Sequence, residues 1–193
     1  MGAVGGYSKS ERTRAALRDA ALRHFVADGF AEASVPAIAA EVGVTERTFY
    51  RHFASKDEVL FGDLVTRLEW FATAIRARPA DEELTRSVLA ALGSAPTDPM
   101  LMVEIARLRA ELLSPERIER TFRDRQGAMA RELRTLLAER GADPLDAAVR
   151  AEVVAGAVFA ALAVWTERPG PHDPAALAEL TREALAQVRK VAS

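Results

Sequence analysis

Residues 35–60, VPAIAAEVGVTERTFYRHFASKDEVL, contain two short helical patterns separated by a glycine. Ile38, Ala39 and Val42 share one face of the first pattern, and Gly43 permits the sharp turn that follows it. Small Ala39 lets a second helix cross closely, as a helix-turn-helix requires. The spacing therefore predicts two helices joined by a tight turn.

The second pattern begins at Thr45, whose hydroxyl predicts an N-cap. Phe49 and Phe53 lie four residues apart and define the buried face of this helix. The outer face then carries groups able to contact phosphates or base edges in a major groove, namely Arg47, Thr48, Tyr50, Arg51 and His52. A merely solvated face is the alternative, and the spacing on both sides of Gly43 favours DNA binding.

Neighbouring residues extend this candidate surface. Ser34 is the predicted N-cap of the first helix, and its hydroxyl is also placed to contact a phosphate. Lys56 opens a long helix behind a Ser55–Glu58 capping box, and the positive end of that helix suits a phosphate. Lys9, Arg12 and Arg14 begin an earlier helix and lie near DNA or serve only as a solvated helix start.

Composition bounds the remaining possibilities. The chain has 193 residues, no cysteine, three histidines and a net charge of −2. Without cysteine there is no disulfide or thiolate site, and His24, His52 and His172 have no metal-ligand spacing, so no metal or cofactor is expected. No uninterrupted apolar run reaches the length of a membrane span, and residues 1–10 lack the apolar core of a signal peptide, so we expect a cytoplasmic protein with no membrane partner.

The whole chain reads as helical. Ser8 and Glu11 form a capping box for a helix that ends at Gly29, and the long helix from Ser55 is expected to reach about Arg78. Serine or aspartate before proline marks most later helix starts. The predicted helices cover residues 80–92, 99–113, 115–140, 144–167 and 174–191. The sequence thus predicts an all-α fold of about nine helices, with a three-helix head (residues 8–55) and a larger helical bundle (residues 56–193).

The last two predicted helices are candidates for a symmetric dimer interface. The first of them is apolar nearly all round, and the second has one apolar stripe. An ordinary monomer core is the alternative. The candidate interface residues are Val153, Gly156, Ala157, Ala160, Leu177, Leu180, Leu185 and Val188.

The head resembles the DNA-binding domain of the TetR/AcrR family of bacterial transcriptional regulators. The resemblance covers roughly residues 11–64. It is carried by Ala20-Ala21-Leu22 with Phe25, Gly29-Phe30, Ser34-Val35, Ile38-Ala39, Val42-Gly43-Val44, Thr48-Phe49-Tyr50, His52-Phe53 and Ser55-Lys56. It implies an all-helical homodimer that binds a double-stranded DNA operator and holds an unidentified small-molecule effector in its C-terminal bundle, with dimerisation through the last two helices.

The resemblance also implies roles for single residues. Thr48, Tyr50, His52 and Lys56 match positions that touch DNA, mostly its backbone, while the positions of Thr45, Glu46 and Arg47 help set sequence choice. Arg47 suggests a guanine contact. The Glu46 carboxylate either accepts a hydrogen bond from the amino group of a cytosine or complements the helix dipole. Residues 46–63 are similar to a subgroup that includes regulators responding to acyl-CoA-like ligands.

Candidate effector contacts are the bulky or adaptable side chains of the bundle, each of which also suits a core. They are Trp70, Phe71, Met102, Ile105, Phe122, Met129, Phe159 and Trp165. Arg109 and Arg123 either bind an acidic ligand or form surface salt bridges. Two other classes remain open: a helical ligand-binding or scaffold protein without DNA binding, and a helical-bundle enzyme, for which no Cys, His pair or Glu-x-x-His motif is present.

Overall fold

Every regular element that the computed structural model contains, over residues 8–95, 99–168 and 173–191, is a helix. In these ranges the nine helices are α1 (Lys9–Asp28), α2 (Val35–Glu41), α3 (Glu46–His52), α4 (Lys56–Arg76), α5 (Leu84–Gly93), α6 (Pro99–Leu112), α7 (Pro115–Glu139), α8 (Pro144–Glu167) and α9 (Pro174–Val191). The predicted all-α class is confirmed. Residues 1–7, the helix-start signal at residues 96–98, and His172 lie outside the described residues.

Helix α1 begins and ends where local chemistry dictates. The Glu11 N–H donates to Ser8 Oγ at 3.2 Å and the Ser8 N–H donates to Glu11 Oε2 at 2.6 Å, which completes the predicted capping box. Gly29 ends the helix with a φ of 86°, a conformation that costs a residue with a Cβ atom about 1–2 kcal/mol.

Helices α2 and α3 form the predicted helix-turn-helix. Gly43 adopts a φ of 73°, and the following Val44 N–H donates to the Ala39 carbonyl at 2.9 Å. Ala39 is fully buried, so its single methyl group is the spacer between the crossing helices. The core of this unit includes Leu17, Ala20, Ala21, Phe25, Phe30, Ala33, Val35, Ile38, Ala39, Phe49, Phe53, Val59, Leu60 and Phe61.

A charged cluster ties the end of α1 to the end of α2. His24 Nδ1 lies 2.9 Å from Asp28 Oδ2, and its Nε2 lies 3.1 Å from Glu41 Oε2. Arg23 pairs with the same Glu41 carboxylate. The hydrogen bond to Asp28, with smaller contributions from Glu41, raises the pKa of His24 although partial burial opposes the shift. The cluster is therefore strongest when His24 is protonated.

The chain divides into two compact units between Gly62 and Asp63, inside α4. The first turns of α4, up to Gly62, thus belong to the N-terminal unit. A Cβ atom on Gly62 would lie 3.5 Å from Arg14 Nη2 and 3.9 Å from Phe53 Cε1. Glu58 forms an ion pair with Arg14 at 3.9 Å.

The C-terminal unit is organised around α8, which packs along α7 and α9. Ala151 and Ala155 are buried and allow close approach of a neighbouring helix, while Phe159 meets Phe122 of α7 at 6.2 Å between ring centroids. Asp143 caps the start of α8 by accepting from the Leu145 and Asp146 N–H groups. The predicted boundaries of α8 and α9 are confirmed.

The predicted helix over residues 80–92 is wrong at its start, because α5 begins at Leu84. Glu83 is the N-cap, with its carboxylate accepting from the Thr85 and Arg86 N–H groups. The preceding Glu82 is held outside the helix by hydrogen bonds from Arg78 and Ser87, which lower its pKa to about 2. Residues 80–83 therefore do not form the expected first turn, because the carboxylates of Glu82 and Glu83 accept hydrogen bonds from neighbouring groups instead.

The Ser55 capping box is also modified. The Glu58 N–H donates to Ser55 Oγ at 3.4 Å, but the Glu58 carboxylate accepts from the Ala54 N–H at 2.6 Å.

By length and composition alone, α8 would be able to span a membrane. Core helices of soluble proteins pass the same criterion, and α8 has buried residues packed on α7 and α9.

Candidate functional site

Helix α3 separates a buried aromatic face from a polar outer face. Phe49 is fully buried and Phe53 is 2% exposed, whereas Tyr50 is 49% exposed. On the outer side, Thr45, Glu46, Arg47 and Arg51 are exposed, and Thr48 and His52 are half-buried. The structure therefore brings the predicted DNA-contacting residues of α3 together on one accessible surface.

The start of α3 is fixed by two hydroxyl groups. The Thr48 N–H donates to Thr45 Oγ1 at 3.2 Å, and the two threonine hydroxyl oxygens lie 3.1 Å apart. Thr45 is thus the N-cap that the sequence predicts. One of the two hydroxyl groups donates to the other, so both are held together at the helix N-terminus, where an anion is stabilised.

The Tyr50 ring is held in place from one side. It meets Phe49 at a centroid separation of 5.5 Å and an interplanar angle of 86°, an edge-to-face contact. The buried Phe49 thereby orients an exposed phenol, which loses little side-chain entropy if it binds a partner.

His52 lies in a positively charged corner of the N-terminal unit. Burial lowers its pKa, and the charges of Arg51 and Arg14 lower it further, so the imidazole is neutral at neutral pH. Its Nε2 atom is buried and has no hydrogen-bond partner among the described residues. Arg14 also lies over the Phe53 ring, 5.2 Å from its centroid.

Lys56 is engaged within the N-terminal unit. Its Nζ donates to the carbonyl oxygens of Phe30 at 2.7 Å, Ala31 at 2.8 Å and Ala33 at 3.1 Å. It also lies 5.2 Å from the centroid of the Phe30 ring. These bonds join the start of α4 to the segment between α1 and α2. A phosphate contact by Lys56, which the sequence predicts, would compete with them.

Two further candidate residues lie at helix N-termini. Ser34 is exposed and accepts from the Ala37 N–H at 3.4 Å as the N-cap of α2. Glu46 is exposed in the first turn of α3, where its charge complements the helix dipole. Both geometries agree with capping or dipole roles and leave the side-chain oxygens accessible.

The C-terminal unit contains a cavity of about 410 Å³. Its volume lies in the range of about 300–1,000 Å³ typical of small-molecule sites. Of the predicted effector contacts, the lining includes Phe71, Met102, Met129, Phe159 and Trp165. Helices α4, α5, α6, α7, α8 and α9 all contribute to its wall.

Three predicted effector contacts lie elsewhere. Trp70 is 43% exposed, and its Nε1 donates to Ser94 Oγ at 3.0 Å. Ile105 is buried, but it is not part of the cavity wall. Phe122 lines a second cavity of about 420 Å³, together with Arg123, whose guanidinium pairs with Glu119 at 3.2 Å.

The first cavity also contains charged groups that sequence reasoning missed or left undecided. Arg109, a candidate for binding an acid, is 2% exposed and pairs with Asp63. Arg67 is one turn further along α4, and its Nη1 lies 3.7 Å from Met102 Sδ. The available signal was the pair Asp63 and Arg67, spaced four residues apart on a helix that otherwise carries leucines toward the core.

The candidate dimer residues divide into surface and core. Val153 is 44% exposed and Ala160 is exposed, whereas Gly156, Ala157, Leu180 and Val188 are half-buried. Leu185 is 1% exposed and therefore belongs to the core, and Leu177 lines the first cavity. The structure adds exposed apolar side chains that were not predicted, namely Leu145, Val149 and Val164.

No group of three histidine, aspartate or glutamate side chains within the described residues is arranged to hold a metal ion.

Residues 17–61 match the family described as "Bacterial regulatory proteins, tetR family". The chain is 45% identical over 74 residues to the HTH-type transcriptional regulator TcmR of Streptomyces glaucescens, covering 38% of this chain and 33% of that protein. It is 43% identical over 60 residues to the HTH-type transcriptional regulator SrpR of Pseudomonas putida, covering 31% of this chain and 28% of that protein. The match thus spans about a third of these curated relatives.

Two solved structures share the fold over nearly the whole chain. A transcriptional regulator from Rhodococcus sp. Rha1 aligns with a TM-score of 0.51 and 22% identity, covering 95% of this chain and 97% of that one. SmeT, the repressor of the Stenotrophomonas maltophilia multidrug efflux pump SmeDEF, aligns with a TM-score of 0.53 and 24% identity, covering 95% and 92%. At these identities the similarity concerns the fold.

Proposed function

We propose that this chain, whose N-terminal unit is a tetR-family DNA-binding domain, is a ligand-responsive transcriptional regulator that binds a palindromic operator as a homodimer in the cytoplasm. The observation that carries the proposal is the outer face of α3. Polar and cationic side chains stand there on a helix whose inner face is fixed by Phe49 and Phe53.

On DNA, α3 would lie in the major groove. Arg47 and Arg51 supply guanidinium groups for guanine edges or phosphates, and Tyr50 supplies an oriented phenol for the backbone. Thr48 contributes its hydroxyl, and the neutral His52 contributes a ring N–H or a lone pair.

Four other residues complete the proposed contact surface. Thr45 and Ser34 present hydroxyl groups at the N-termini of α3 and α2, where phosphate is stabilised. Glu46 is placed to accept from a cytosine amino group. Lys56 contributes to DNA binding in one of two ways. It positions the start of α4, or its ammonium group gives up one of its three carbonyl partners and binds a phosphate instead.

The dimer proposal is supported by the outer face of α8. Leu145, Val149 and Val153 follow one another at intervals of four residues and are 72%, 52% and 44% exposed. This apolar stripe is exposed in the single chain. A two-fold axis would bury it against the same stripe of a second copy of the chain. Two α3 helices would then reach successive major grooves, about 10 base pairs apart.

Repression and release by an effector form the remaining part of the proposal. The cavity of about 410 Å³ would hold a small apolar or acyl-type molecule, and acyl-CoA-like ligands are one class within that range. Helix α4 runs from Lys56 to Arg76, so a ligand that displaces its second half would act on its first half as well. Release requires different effector affinities in the two states.

The proposal is tested with DNA from immediately upstream of the gene, using fluorescence anisotropy at several salt concentrations. Arg51→Ala and Tyr50→Ala should weaken binding about tenfold or more each, because each removes a polar contact. Arg134→Ala, an exposed arginine of α7, is the matched control and should bind as the wild type does.

If the wild type shows no specific binding, selection from random duplexes decides the question. Enrichment of a palindromic site retains the proposal and gives the operator. Failure to enrich any sequence favours a ligand-binding protein that does not bind DNA.

A further inference from the structure

Arg14 of α1 is packed against other helices, unlike the cations that precede it. Lys9 and Arg12 are exposed, whereas Arg14 is half-buried. Its guanidinium lies over the Phe53 ring, 5.2 Å from the ring centroid, within the distance at which a cation is attracted to an aromatic face. Phe53 is the C-cap of α3, so a side chain of α1 contacts the end of the candidate DNA-reading helix.

The same guanidinium meets the first turns of α4. Arg14 Nη2 lies 3.9 Å from Glu58 Oε1, an ion pair between side chains that are 37% and 25% exposed. One turn further along α4, Gly62 is buried, and a Cβ atom there would lie 3.5 Å from the same Nη2 atom and 3.9 Å from Phe53 Cε1. A side chain longer than that of alanine at position 62 would therefore displace the guanidinium or the ring.

Glu58 also holds the connection between α3 and α4. Its Oε2 accepts from the Ala54 N–H at 2.6 Å, and Ala54 directly follows Phe53. One carboxylate oxygen thus bonds to the backbone just after α3, while the other pairs with Arg14. We call Arg14, Phe53, Glu58 and Gly62 the α3–α4 joint, and all four residues belong to the N-terminal unit.

The α3–α4 joint bears on DNA reading because α3 is short. Residues 46–52 form about two turns, so the direction of the helix depends on how its two ends are held. The first end is fixed by the Thr45 cap and the turn at Gly43. At the second end, Phe53 is 2% exposed and lies under the guanidinium of Arg14. A binding surface fails when its supporting contacts leave it about 1 Å out of place.

We propose that Arg14 is a positioning residue for DNA binding: its guanidinium, held between the Phe53 ring and the Glu58 carboxylate, fixes the end of α3 relative to the start of α4 and does not itself bind DNA. This inference rests on the proposed function, in which α3 reads the operator. Recognition of the base sequence depends on where α3 lies, whereas attraction to a phosphate backbone does not depend on sequence. Loss of Arg14 therefore impairs the first more than the second.

Fluorescence anisotropy of the full chain with operator and scrambled duplexes separates these two effects. Arg14→Met removes the charge and keeps most of the alkyl part of the side chain. It should weaken operator binding about tenfold or more and change binding to the scrambled duplex by about twofold or less. Arg18→Met is the matched control, because Arg18 is half-buried on the same helix but pairs with the adjacent Asp19. It should bind both duplexes as the wild type does.

A direct phosphate contact predicts a different result. If Arg14 binds a phosphate in each protomer, Arg14→Met should lower the slope of log K against log salt by about 1.8 and weaken binding to both duplexes alike. That result, or wild-type binding by Arg14→Met, overturns the inference alone. A wild-type protein that binds no operator overturns the proposed function as well. Binding is measured at a temperature at which thermal unfolding shows every variant to be folded, so that a lower affinity does not report a loss of folded protein.

A double-mutant cycle tests whether Arg14 acts through Glu58. In Glu58→Gln, the amide oxygen still accepts from the Ala54 N–H, but the charge that pairs with Arg14 is absent. The double variant Arg14→Met/Glu58→Gln should bind operator no more than about twofold more weakly than Arg14→Met, because both changes remove the same contact. Arg14→Lys keeps the charge and should lose less affinity than Arg14→Met. Multiplicative losses in the double variant, or equal losses for Arg14→Lys and Arg14→Met, overturn the role of the pair.

Histidine NMR without DNA tests where the guanidinium lies. Burial lowers the pKa of His52 most, and the charges of Arg51 and Arg14 lower it further. Arg14→Met should therefore raise the pKa of His52, whereas Arg18→Met should leave it unchanged. His52→Gln assigns the resonance. An unchanged pKa of His52 in Arg14→Met overturns the contact at the end of α3, whatever the DNA measurements give.

Discussion

The ammonium group of Lys56 lies 2.7 Å from the carbonyl oxygen of Phe30, and two further carbonyls accept its other protons. A residue expected to face phosphate therefore also fixes the first turn of α4 to the segment after α1. We expect Lys56→Met to destabilise the N-terminal unit by about 1–3 kcal/mol, because the part-buried carbonyls of Phe30 and Ala33 lose a charged donor.

Chemical denaturation measures that loss, with Arg51→Ala as the comparison. Arg51 is exposed, so its replacement should weaken DNA binding and leave the unfolding midpoint near that of the wild type. An unchanged midpoint for Lys56→Met would contradict the structural role of the three bonds.

Gly43 and Gly127 should respond oppositely to the same added methyl group. Gly43 has a φ of 73°, so Gly43→Ala should cost about 1–2 kcal/mol although nothing lies near the new Cβ atom. Gly127 lies within α7, and its new Cβ atom would meet only the end of the flexible Arg131 side chain at 3.4 Å. Gly127→Ala should therefore stabilise the protein by about 0.5–1 kcal/mol. Urea unfolding measures whether the free energy of unfolding falls in Gly43→Ala and rises in Gly127→Ala.

Arg51 and Arg47 should be distinguishable by salt. If Arg51 binds a phosphate in each protomer, Arg51→Ala should reduce the slope of log K against log salt by about 1.8, because each lost contact contributes about 0.9. If Arg47 binds a guanine edge, Arg47→Ala should relax sequence preference at one position per half-site. The salt slopes of both variants are measured on operator and scrambled duplexes. Equal slopes and equal sequence preference in the two variants would show that Arg51 and Arg47 do not have these different roles.

His24 should make the N-terminal unit more stable at lower pH. Its pKa is raised in the folded protein above the ordinary value of 6.5, so the stabilisation is fully present below pH 6.5 and is lost as the pH rises through the folded pKa. The difference in unfolding free energy between wild type and His24→Gln should shrink across that interval. A difference independent of pH would show that the Asp28 and Glu41 contacts act without the charge of His24.

Val149 offers a test of the dimer. Val149→Asp places a carboxylate on the exposed stripe of α8, twice in a symmetric interface, and should weaken dimerisation about a hundredfold or more. Val26→Asp is the matched control, since Val26 is 61% exposed on α1 and lies outside the proposed interface. Light scattering over a concentration series gives both dissociation constants. A Val149→Asp protein that dimerises like the wild type would move the interface elsewhere.

Local signals in the sequence predicted the helices well. Ser8, Thr45 and Asp143 each cap the helix that was expected to follow, because a cap depends on groups only two or three residues away. The start of α5 was missed because Glu83 caps the helix while Glu82 bonds to neighbouring side chains. Glu82 binds Arg78 and Ser87 on either side of the turn, and propensity alone does not reveal such bonds.

The candidate DNA-binding face was predictable because one helix contains it, whereas the cavity was less predictable because several helices form it. The outer face of α3 follows from the spacing of Phe49 and Phe53. The cavity is formed by six helices, and bulk was an incomplete guide to it, since Trp70 is exposed while Asp63 and Arg67 line the wall. Leu185 was expected at an interface and is buried in its own chain, because an apolar stripe does not specify which surface covers it.

The two tryptophans of the chain differ in a way that makes the protein its own optical sensor. Trp165 is 2% exposed, lines the first cavity and donates its indole N–H to the Asp173 carbonyl at 2.8 Å, whereas Trp70 is 43% exposed and lies outside that wall. In a Trp70→Phe protein, emission would come from the cavity alone. Filling of the cavity would then appear as a change in the colour or quenching of one buried fluorophore, and occupancy could be followed in real time without a label.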